Sequence, residues 1–294
     1  MKCTSPMSAW RFPGSSHIMF QLPRDVNPRE LEHLQIPCGR CINCRLERSR
    51  QWAIRCVHEA KQFKENSFIT LTYSEDFIPK NKSLVKRDLQ LFFKRLRKEL
   101  GDKKIRYFAC GEYGPKTKRP HYHAVIFGEG FKERTKVTRR TDLGISQFYV
   151  SEVLTKVWPF GIASCGDFSF EAAAYVARYC LKKVYGTRES FAEYEKTGRE
   201  PEFVLMSRRP GIGAAWFEKF GMTDVYPRDR VYSRGHLSKP PRYYDKLLEK
   251  VDAELLATLK MKRRQDAPEL TPEQLWRAGQ AAKIRAEKFD REKF

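Results

Sequence analysis

Two histidines, His121 and His123, are the residues whose type and spacing most directly indicate chemistry. They lie two apart in a predicted β-strand, so both imidazoles point to the same face, with their backbones about 6–7 Å apart. Tyr122, Ala124 and Ile126 then face the opposite side of the sheet, against helices. An isolated His-x-His is more often a pair of surface histidines on an edge strand. The basic residues around this pair and the tyrosines downstream favour a site that binds one divalent cation.

A third ligand for this cation must come from elsewhere in the chain. Glu112, at the end of the preceding predicted strand, is the natural candidate, because the hairpin returns the chain past it. One carboxylate and two imidazoles leave positions open for water and phosphate oxygens. Such a site suits Mg²⁺ or Mn²⁺ acting as a Lewis acid on a phosphodiester.

A predicted helix over residues 169–184 carries two tyrosines on one face, Tyr175 and Tyr179. Each tyrosine is followed three residues later by a cation, Arg178 or Lys182. A phenol with a pKa of about 10 is a poor nucleophile at neutral pH, and a nearby cation favours the phenolate. Two aromatic residues at helical spacing more often pack into a core, so the catalytic interpretation depends on the histidine pair and the repeated Tyr-x-x-cation pattern together.

Three cysteines recur at every third position, Cys38, Cys41 and Cys44. An iron–sulfur cluster of the ferredoxin type needs a fourth cysteine at position 48, which is Arg48 here. We therefore expect a structural Zn²⁺ that holds the N-terminal segment and takes a fourth ligand from elsewhere. Cys3 is the first choice for that ligand, and the competing residues are Cys56, His33 and His58. The cysteines expected to be buried as small hydrophobic residues are Cys110, Cys165 and Cys180.

The charge of the chain indicates a polyanionic partner. Lys and Arg number 57 against 36 Asp and Glu, a formal net charge of +21. Such an excess favours nucleic acid, because cations near phosphates release condensed counterions. A membrane is disfavoured, because no apolar run approaches the roughly 20 residues of a spanning helix and no signal-peptide segment is evident at the N-terminus. The residues expected to contact DNA are Lys116, Lys118, Arg119, Arg139 and Arg140.

The order of predicted elements, β-α-β-β-α-β-α, indicates an α+β fold: an antiparallel sheet with helices, in a ferredoxin-like or split β-α-β arrangement. Predicted strands cover residues 67–73, 105–110, 121–127 and around 162–167. Predicted helices cover about residues 45–64, 83–101, a short segment ending near 158, 169–184, 242–262 and 271–292. Residues 1–36 are expected to be irregular because of their prolines. We expect three parts: an N-terminal segment with the cysteine cluster over 1–64, a catalytic domain over 65–188, and a largely helical extension over 189–294.

Three ordered motifs resemble those of the HUH endonucleases: Phe68-Ile-Thr-Leu-Thr72, Arg119-Pro-His-Tyr-His123 and Tyr175-Val-Ala-Arg-Tyr-Cys-Leu-Lys182. The two-tyrosine form resembles the rolling-circle initiators of Microviridae. The cysteine run, Gly111-Glu-Tyr-Gly114 and Ser207-Arg-Arg-Pro-Gly-Ile-Gly213 resemble the gokushovirus branch of that family. The resemblance extends over roughly residues 36–215.

The resemblance implies a site- and strand-specific nick at the replication origin, with the 5′-phosphate linked to a tyrosine and a free 3′-hydroxyl left for a polymerase. The second tyrosine would then attack and release a circular strand. Lys182 would position the phosphate, and Tyr179, which begins the Tyr-x-x-Lys pattern, is favoured slightly over Tyr175 for the first cut. The aromatic Tyr122 departs from the aliphatic residue usual between the two histidines. Glu112 is the ligand whose position varies most within the family.

The implied partners are single-stranded DNA and origin duplex DNA in the cytoplasm of a bacterial host. The sequence has no P-loop motif, so a host helicase and polymerase are expected to act with it. Two alternatives remain at this point. One is a transposase or relaxase of the same superfamily, and the other is a non-catalytic, zinc-containing protein that binds single-stranded DNA through basic grooves and aromatic stacking.

Overall fold

The computed structural model describes residues 3–114, 117–141, 144–182, 188–233, 235–268 and 270–291. The chain divides into two compact units, and the boundary between them falls within the first helix. One unit comprises residues 1–48 and 263–294, and the other comprises residues 49–262. The expected three-part division at residues 64 and 188 stays a prediction.

The described residues form strands and helices in the following order. The strands are β1 (Met7–Arg11), β2 (Glu32–Ile36), β3 (Asn66–Tyr73), β4 (Arg106–Tyr113), β5 (Pro120–Phe127), β6 (Thr135–Thr141), β7 (Gly144–Val150), β8 (Gly161–Asp167), β9 (Phe203–Met206), β10 (Val231–Ser233) and β11 (His236–Ser238). The helices are α1 (Ile42–Ala60), α2 (Lys86–Glu99), α3 (Glu152–Val157), α4 (Phe170–Lys182), α5 (Arg188–Thr197), α6 (Ala214–Phe220), α7 (Arg242–Val251), α8 (Ala253–Gln265) and α9 (Pro272–Arg291). No helix within the described ranges is both long and apolar enough to cross a membrane.

A seven-stranded antiparallel sheet dominates the larger unit, in the order β6-β7-β8-β3-β5-β4-β9. Strands β3 and β4 both pair antiparallel with β5, so they run parallel to each other with β5 between them. The connection from β3 through α2 to β4 is therefore a split β-α-β unit. The expected α+β class with an antiparallel sheet and helices is confirmed.

The alternation of side chains along β3 and β5 builds a separate core on each face of the sheet. Ile69, Leu71 and Tyr122 pack on one face with residues of α2 and α3, including Phe92. As expected, Tyr122 lies on this helix-covered side. Residues of α1 and α4, together with Phe108, Val125 and Phe127 of the sheet, form the other core. The histidine face is thus covered in part by α1 and α4.

Three strands of this sheet were not predicted. The hairpin β6–β7 is rich in basic and polar residues, and β9 has four residues, so neither shows the long apolar alternation by which strands are recognised. The prediction for β4 was too short. Gly111 weakened the strand signal, yet β4 continues through Gly111 and Glu112 to Tyr113, because β9 and β5 pair with it on both sides.

The C-terminal part of the larger unit packs against α1. Ile54 of α1 joins residues of α6, α7 and α8, among them Trp216, Tyr244 and Leu256, in a third core. The helices expected near 242–262 and 271–292 are present as α7, α8 and α9, with a break at Asp252 between the first two.

The expectation that residues 1–36 are irregular was wrong. Strands β1 and β2 form an antiparallel hairpin in the smaller unit, with Met7 opposite Ile36 and Arg11 opposite Glu32. An ion pair between Arg11 and Glu32 joins the two strands, with 2.8 Å between Nη2 and Oε2. The prolines that suggested an irregular segment lie before, between and after these strands, where they interrupt no ladder.

Candidate functional site

The pairing of three central strands brings the histidine pair and the carboxylate into adjacent rows on one face of the sheet. Glu112 on β4 lies directly opposite His121 on β5, and His121 lies opposite Thr72 on β3. In the next row along the same face, His123 lies opposite Thr70. Facing positions in neighbouring strands are about 4.5–5.5 Å apart, so side chains in these rows can meet.

The side chains of Glu112, His121 and His123 do meet. Nε2 of His121 lies 2.7 Å from Oε1 of Glu112, and Nε2 of His123 lies 3.0 Å from the same oxygen. Glu112 and His123 are buried, and the rings of the two histidines are nearly perpendicular, with centroids 5.0 Å apart. The structure therefore brings together the three residues that were expected to share one cation.

Each imidazole is also held from its other nitrogen. Nδ1 of His121 donates to the backbone carbonyl of Arg119 over 3.1 Å, and Nδ1 of His123 lies 2.9 Å from Oγ1 of Thr70. A carbonyl can only accept, so the neutral His121 ring carries its proton on Nδ1 and keeps its lone pair on Nε2. Thr70 was not singled out from the sequence as a site residue. Its signal was its place in β3 opposite His123, which requires the strand register.

The donors fit a divalent cation. The three ligand atoms lie within 4.8 Å of one another. An octahedral ion with bonds of about 2.0–2.1 Å places neighbouring ligands about 2.9 Å apart, close to the observed 2.7 and 3.0 Å. The second carboxylate oxygen of Glu112, Oε2, is buried and has no hydrogen-bond partner among the described residues. Burial raises the pKa of Glu112, but hydrogen bonds and charge from His121 and His123 outweigh it and hold that pKa below its ordinary value. The carboxylate is therefore ionised and able to bind a cation.

Helix α4 places one of the two expected tyrosines at this group. Ser169 caps the helix as expected, accepting a hydrogen bond from the Ala172 amide over 3.0 Å. The hydroxyl of Tyr175 donates to Oε1 of Glu112 over 3.3 Å, and its ring lies edge-on to His123 with centroids 5.0 Å apart. The side chains of Arg178, Tyr179 and Lys182 lie outside the described residues, as does that of Cys180.

The four expected cysteines of the smaller unit also come together. The sulfurs of Cys3, Cys38, Cys41 and Cys44 lie within 4.8 Å of one another. Sγ of Cys3 lies 3.4 Å from that of Cys38 and 3.8 Å from that of Cys41. Tetrahedral zinc with bonds of about 2.3 Å separates its sulfur ligands by about 3.8 Å. The arrangement is therefore close to a four-sulfur metal site.

Backbone amides and neighbouring groups support the cysteine sulfurs. The amide of Cys38 donates to Sγ of Cys3, and the amide of Cys41 donates to Sγ of Cys38, each over 3.3 Å. Burial raises the pKa of Cys3 and of Cys44. Burial also acts to raise the pKa of Cys41, but hydrogen bonds with Thr4 and Cys44 lower it to about 6. The cluster can thus supply thiolate, the form that binds metals.

The competing candidates for the fourth zinc ligand are engaged elsewhere. His58 is buried, stacks on Trp216 at 3.6 Å between centroids and lies 2.8 Å from the Tyr244 hydroxyl. His33 stacks on Trp10 in the β1–β2 hairpin. Cys56 belongs to the core between α1 and the sheet, and Cys110 and Cys165 are buried as expected.

The residues expected to contact DNA are not equally placed. Lys118 is exposed at the turn before β5. Arg119 forms an ion pair with Glu75 and donates to the Tyr73 carbonyl over 2.8 Å, so its guanidinium also holds the loop after β3. Lys116 and the side chains of Arg139 and Arg140 lie outside the described residues.

Comparison with known proteins identifies the family. The family model for replication-associated proteins of the ORF2 type matches residues 66–184, which include the three strands and the helix of this site. The replication-associated protein VP4 of Bdellovibrio phage phiMH2K is 33% identical over 259 residues, covering 83% of this chain and 76% of that protein. The replication-associated protein ORF2 of Spiroplasma virus 4 is 31% identical over 238 residues, covering 77% of this chain and 71% of that protein.

A third relative, the replication-associated protein ORF4 of Chlamydia phage 1, is 29% identical over 228 residues, covering 74% of this chain and 55% of that protein. No solved structure matches the chain significantly. The chain belongs to the family of replication-associated proteins of Microviridae-type phages. The family resemblance found in the sequence is thereby confirmed.

Proposed function

We propose that this protein initiates rolling-circle replication by nicking one strand of the phage origin. The phenol oxygen of a tyrosine on α4 attacks the scissile phosphorus, and the bond from phosphorus to the 3′-oxygen breaks. The 5′-phosphate stays esterified to the tyrosine, and the proton lost by the phenol is balanced by the one gained by the 3′-hydroxyl. The single observation that carries this proposal is the Tyr175 hydroxyl, 3.3 Å from the Glu112 carboxylate beside both histidines.

Glu112, His121 and His123 would hold the cation, Mg²⁺ or Mn²⁺. When bound, it supplies Lewis-acid polarisation of the phosphodiester. Thr70 and the Arg119 carbonyl orient the two imidazoles, and Phe68 packs over His123 with ring centroids 5.4 Å apart, which limits water access on that side. Arg178 and Lys182 are proposed to favour the phenolate and to position the phosphate.

Both tyrosines are proposed to serve, one to cut and the other to transfer the strand after one round. The contact with Glu112 supports Tyr175 as a nucleophile. The assignment of the first cut to Tyr179 depends on the Tyr-x-x-Lys pattern and stays a prediction. A host polymerase would extend the free 3′-hydroxyl, and a host helicase would unwind the duplex in the bacterial cytoplasm.

Zn²⁺ is the proposed occupant of the four-cysteine cluster, with a structural role. The chemistry of the donors supports this choice, since four thiolates in tetrahedral spacing suit zinc and leave no open position for a substrate. Catalysis and zinc binding are thus assigned to different parts of the chain.

A covalent-adduct assay tests the nicking proposal. The protein is incubated with single-stranded origin DNA and Mn²⁺, and the adduct is mapped by mass spectrometry. We expect 5′-phosphate on Tyr175 or Tyr179, some single cleavage by Tyr175→Phe and by Tyr179→Phe, and no adduct from the double variant. Neither single variant should release closed circles, because the second step needs a fresh nucleophile. Tyr232→Phe is the matched control, since Tyr232 is exposed on β10.

The same assay separates the alternative functions. A non-catalytic protein that binds single-stranded DNA would retain the oligonucleotide without forming an adduct. A transposase or relaxase would form the adduct but would not release unit-length circles from a circular template. Recovery of the phosphate on neither tyrosine would overturn the proposed mechanism.

A further inference from the structure

The segment over residues 207–213, Ser-Arg-Arg-Pro-Gly-Ile-Gly, connects β9 to α6 and takes no part in the site described above. We call it the 207–213 loop. It begins at a pair of hydrogen bonds with β4: the Ser207 amide donates to the Tyr107 carbonyl over 3.0 Å, and the Tyr107 amide donates to Oγ of Ser207 over 3.1 Å. The start of the loop is thus fixed to the sheet.

Charged side chains hold the remainder of the loop. Glu59 of α1 is buried, pairs with Arg106, and accepts a hydrogen bond from the Gly213 amide over 2.6 Å. Arg106 donates to the Pro210 carbonyl over 2.6 Å, and Arg55 donates to the Ile212 carbonyl over 2.9 Å. A buried carboxylate is costly unless it is fully satisfied, so these contacts are specific to the conformation of this loop.

The two glycines of the loop are required by close packing. A Cβ atom at position 211 would lie 2.3 Å from the hydroxyl oxygen of Tyr243. At position 213 it would lie 2.7 Å from that of Tyr244, and the backbone there has a φ of +82°. The loop therefore has one conformation that its sequence and its neighbours both select.

The rigid backbone presents two exposed cations, Arg208 and Arg209. Neither guanidinium has a hydrogen bond or an ion pair to any residue that the structure describes. Both remain charged at every physiological pH, and a guanidinium matches the geometry of phosphate oxygens. A pair of arginines held in this way loses little conformational freedom on binding an anion, because the backbone is already ordered.

The loop lies at the opposite end of β4 from the candidate metal group. Five residues of β4 separate Tyr107, which binds the loop, from Glu112, and five residues of a strand extend about 17 Å. That distance equals about five nucleotides of a stacked strand. DNA that is cut beside Glu112 can therefore reach the loop along the β9 edge of the sheet.

We propose that Arg208 and Arg209 bind backbone phosphates of the DNA about five nucleotides from the cleavage site. The proposal depends on the proposed nicking function only in that DNA is the substrate and the scissile phosphate lies beside Glu112. The loop acts through charge and geometry, so it increases affinity and fixes the register of the DNA without reading its bases.

The test measures DNA affinity in EDTA, so that no cleavage occurs, with a series of origin oligonucleotides. The DNA extends from about two to about twelve nucleotides beyond the cleavage site on either side, as a single strand or as a duplex arm. For the Arg208→Ala/Arg209→Ala variant, we expect weaker binding than that of the unchanged protein only for oligonucleotides that extend at least about five nucleotides on one side. The slope of log K against log salt should fall by about 1.4 for a single strand or about 1.8 for a duplex.

The matched control is Lys94→Ala/Lys98→Ala, which removes two exposed charges from α2 on the other face of the sheet. Its effect should be small and should not depend on DNA length. The proposal is overturned if the arginine variant binds every oligonucleotide like the unchanged protein, or if its loss is independent of length, or if the control loses as much. Arg208→Lys/Arg209→Lys should recover most of the salt dependence and less of the affinity.

The outcome is separable from that of the proposed function. Adduct formation on the shortest oligonucleotide uses only the site beside Glu112, so the arginine variant should form that adduct at the rate of the unchanged protein. Normal adduct formation with no length-dependent binding loss would remove the loop proposal alone. Absence of any adduct from the unchanged protein would remove the nicking proposal while the EDTA binding comparison still stands.

Discussion

The two groups of potential metal ligands are built in different ways. Glu112, His121 and His123 come from two paired strands in the middle of a seven-stranded sheet, and their positions follow from the register of that sheet. The four cysteines come from two short segments of the smaller unit, around positions 3 and 38–44, and are held by one another and by nearby amides. The first group therefore keeps its geometry through the surrounding fold, whereas the second makes part of its own fold.

The amount of core around each group differs accordingly. The sheet has large apolar clusters on both faces. In the smaller unit, the buried hydrophobic residues among those described are Ala9, Leu31 and Ala282. A segment with so small a core needs a further cross-link to be stable, and a metal supplies one. Loss of the cation should thus stop chemistry at the first group, and loss of zinc should unfold structure at the second.

The largest expected effect tests the first half of this comparison. His121→Ala or His123→Ala should lower the rate of adduct formation by on the order of a hundredfold or more, because Lewis-acid stabilisation contributes several kcal/mol. DNA affinity in EDTA should change little, because charge elsewhere supplies it. Undiminished cleavage by either variant, measured with a labelled origin oligonucleotide, would refute the cation site.

The second prediction concerns the cysteine cluster. Elemental analysis should find about one zinc per chain in the unchanged protein and in His121→Ala, and almost none in Cys38→Ser. Hydrogen exchange in Cys38→Ser should become faster in residues 3–48 and 270–291, with little change in the sheet. Cys165→Ser is the control, since Cys165 is buried away from the cluster in the larger unit. An iron–sulfur chromophore, or active protein without zinc, would contradict the assignment.

A smaller effect is expected at Thr70, which lies beside His123. Thr70→Val removes the hydroxyl at Nδ1 and should weaken Mn²⁺ binding about 10- to 100-fold, as is usual when a group that orients a metal ligand is lost. Calorimetry or electron paramagnetic resonance without DNA measures this directly. Thr72→Val is the matched control, because Thr72 lies on the same face but donates to the Ile162 carbonyl over 3.2 Å. Equal losses from both variants would show that the hydroxyl of Thr70 has no specific role, and Thr70→Ser should restore binding.

The smallest effect separates His58 from both groups. Burial lowers the pKa of His58 to about 3, so the unfolded chain takes up a proton as pH falls below about 6.5 while the folded chain does not. The free energy of unfolding should therefore fall between pH 6.5 and pH 3, by at most about 1.4 kcal/mol per pH unit from this residue. Urea unfolding of His58→Phe should show a shallower decline and the same zinc content. A steeper decline, or loss of zinc, would contradict a purely core role.

Much of the site could be predicted from local spacing. The His-x-His pair, the helix with Tyr175, and the cysteine triplet each lie within one element or one short segment, so their periodicity states which side chains share a face. The choice of Cys3 as fourth ligand also agrees with the structure, although spacing alone left Cys56, His33 and His58 in competition. Those three are engaged in packing, which is a property of cores and is invisible in the order of residues.

The amino-acid sequence by itself determined which residues are able to do chemistry, the class of fold and the family. Only the tertiary structure decided that β4 continues through Gly111 so that Glu112 faces His121, that Thr70 lies against His123, and that Arg119 pairs with Glu75. It also decided the conformation of the 207–213 loop, which depends on Glu59 and Arg106 far away in the chain. The reason is physical: period and propensity are local, whereas strand register and the pairing of buried charges depend on contacts between residues distant in sequence.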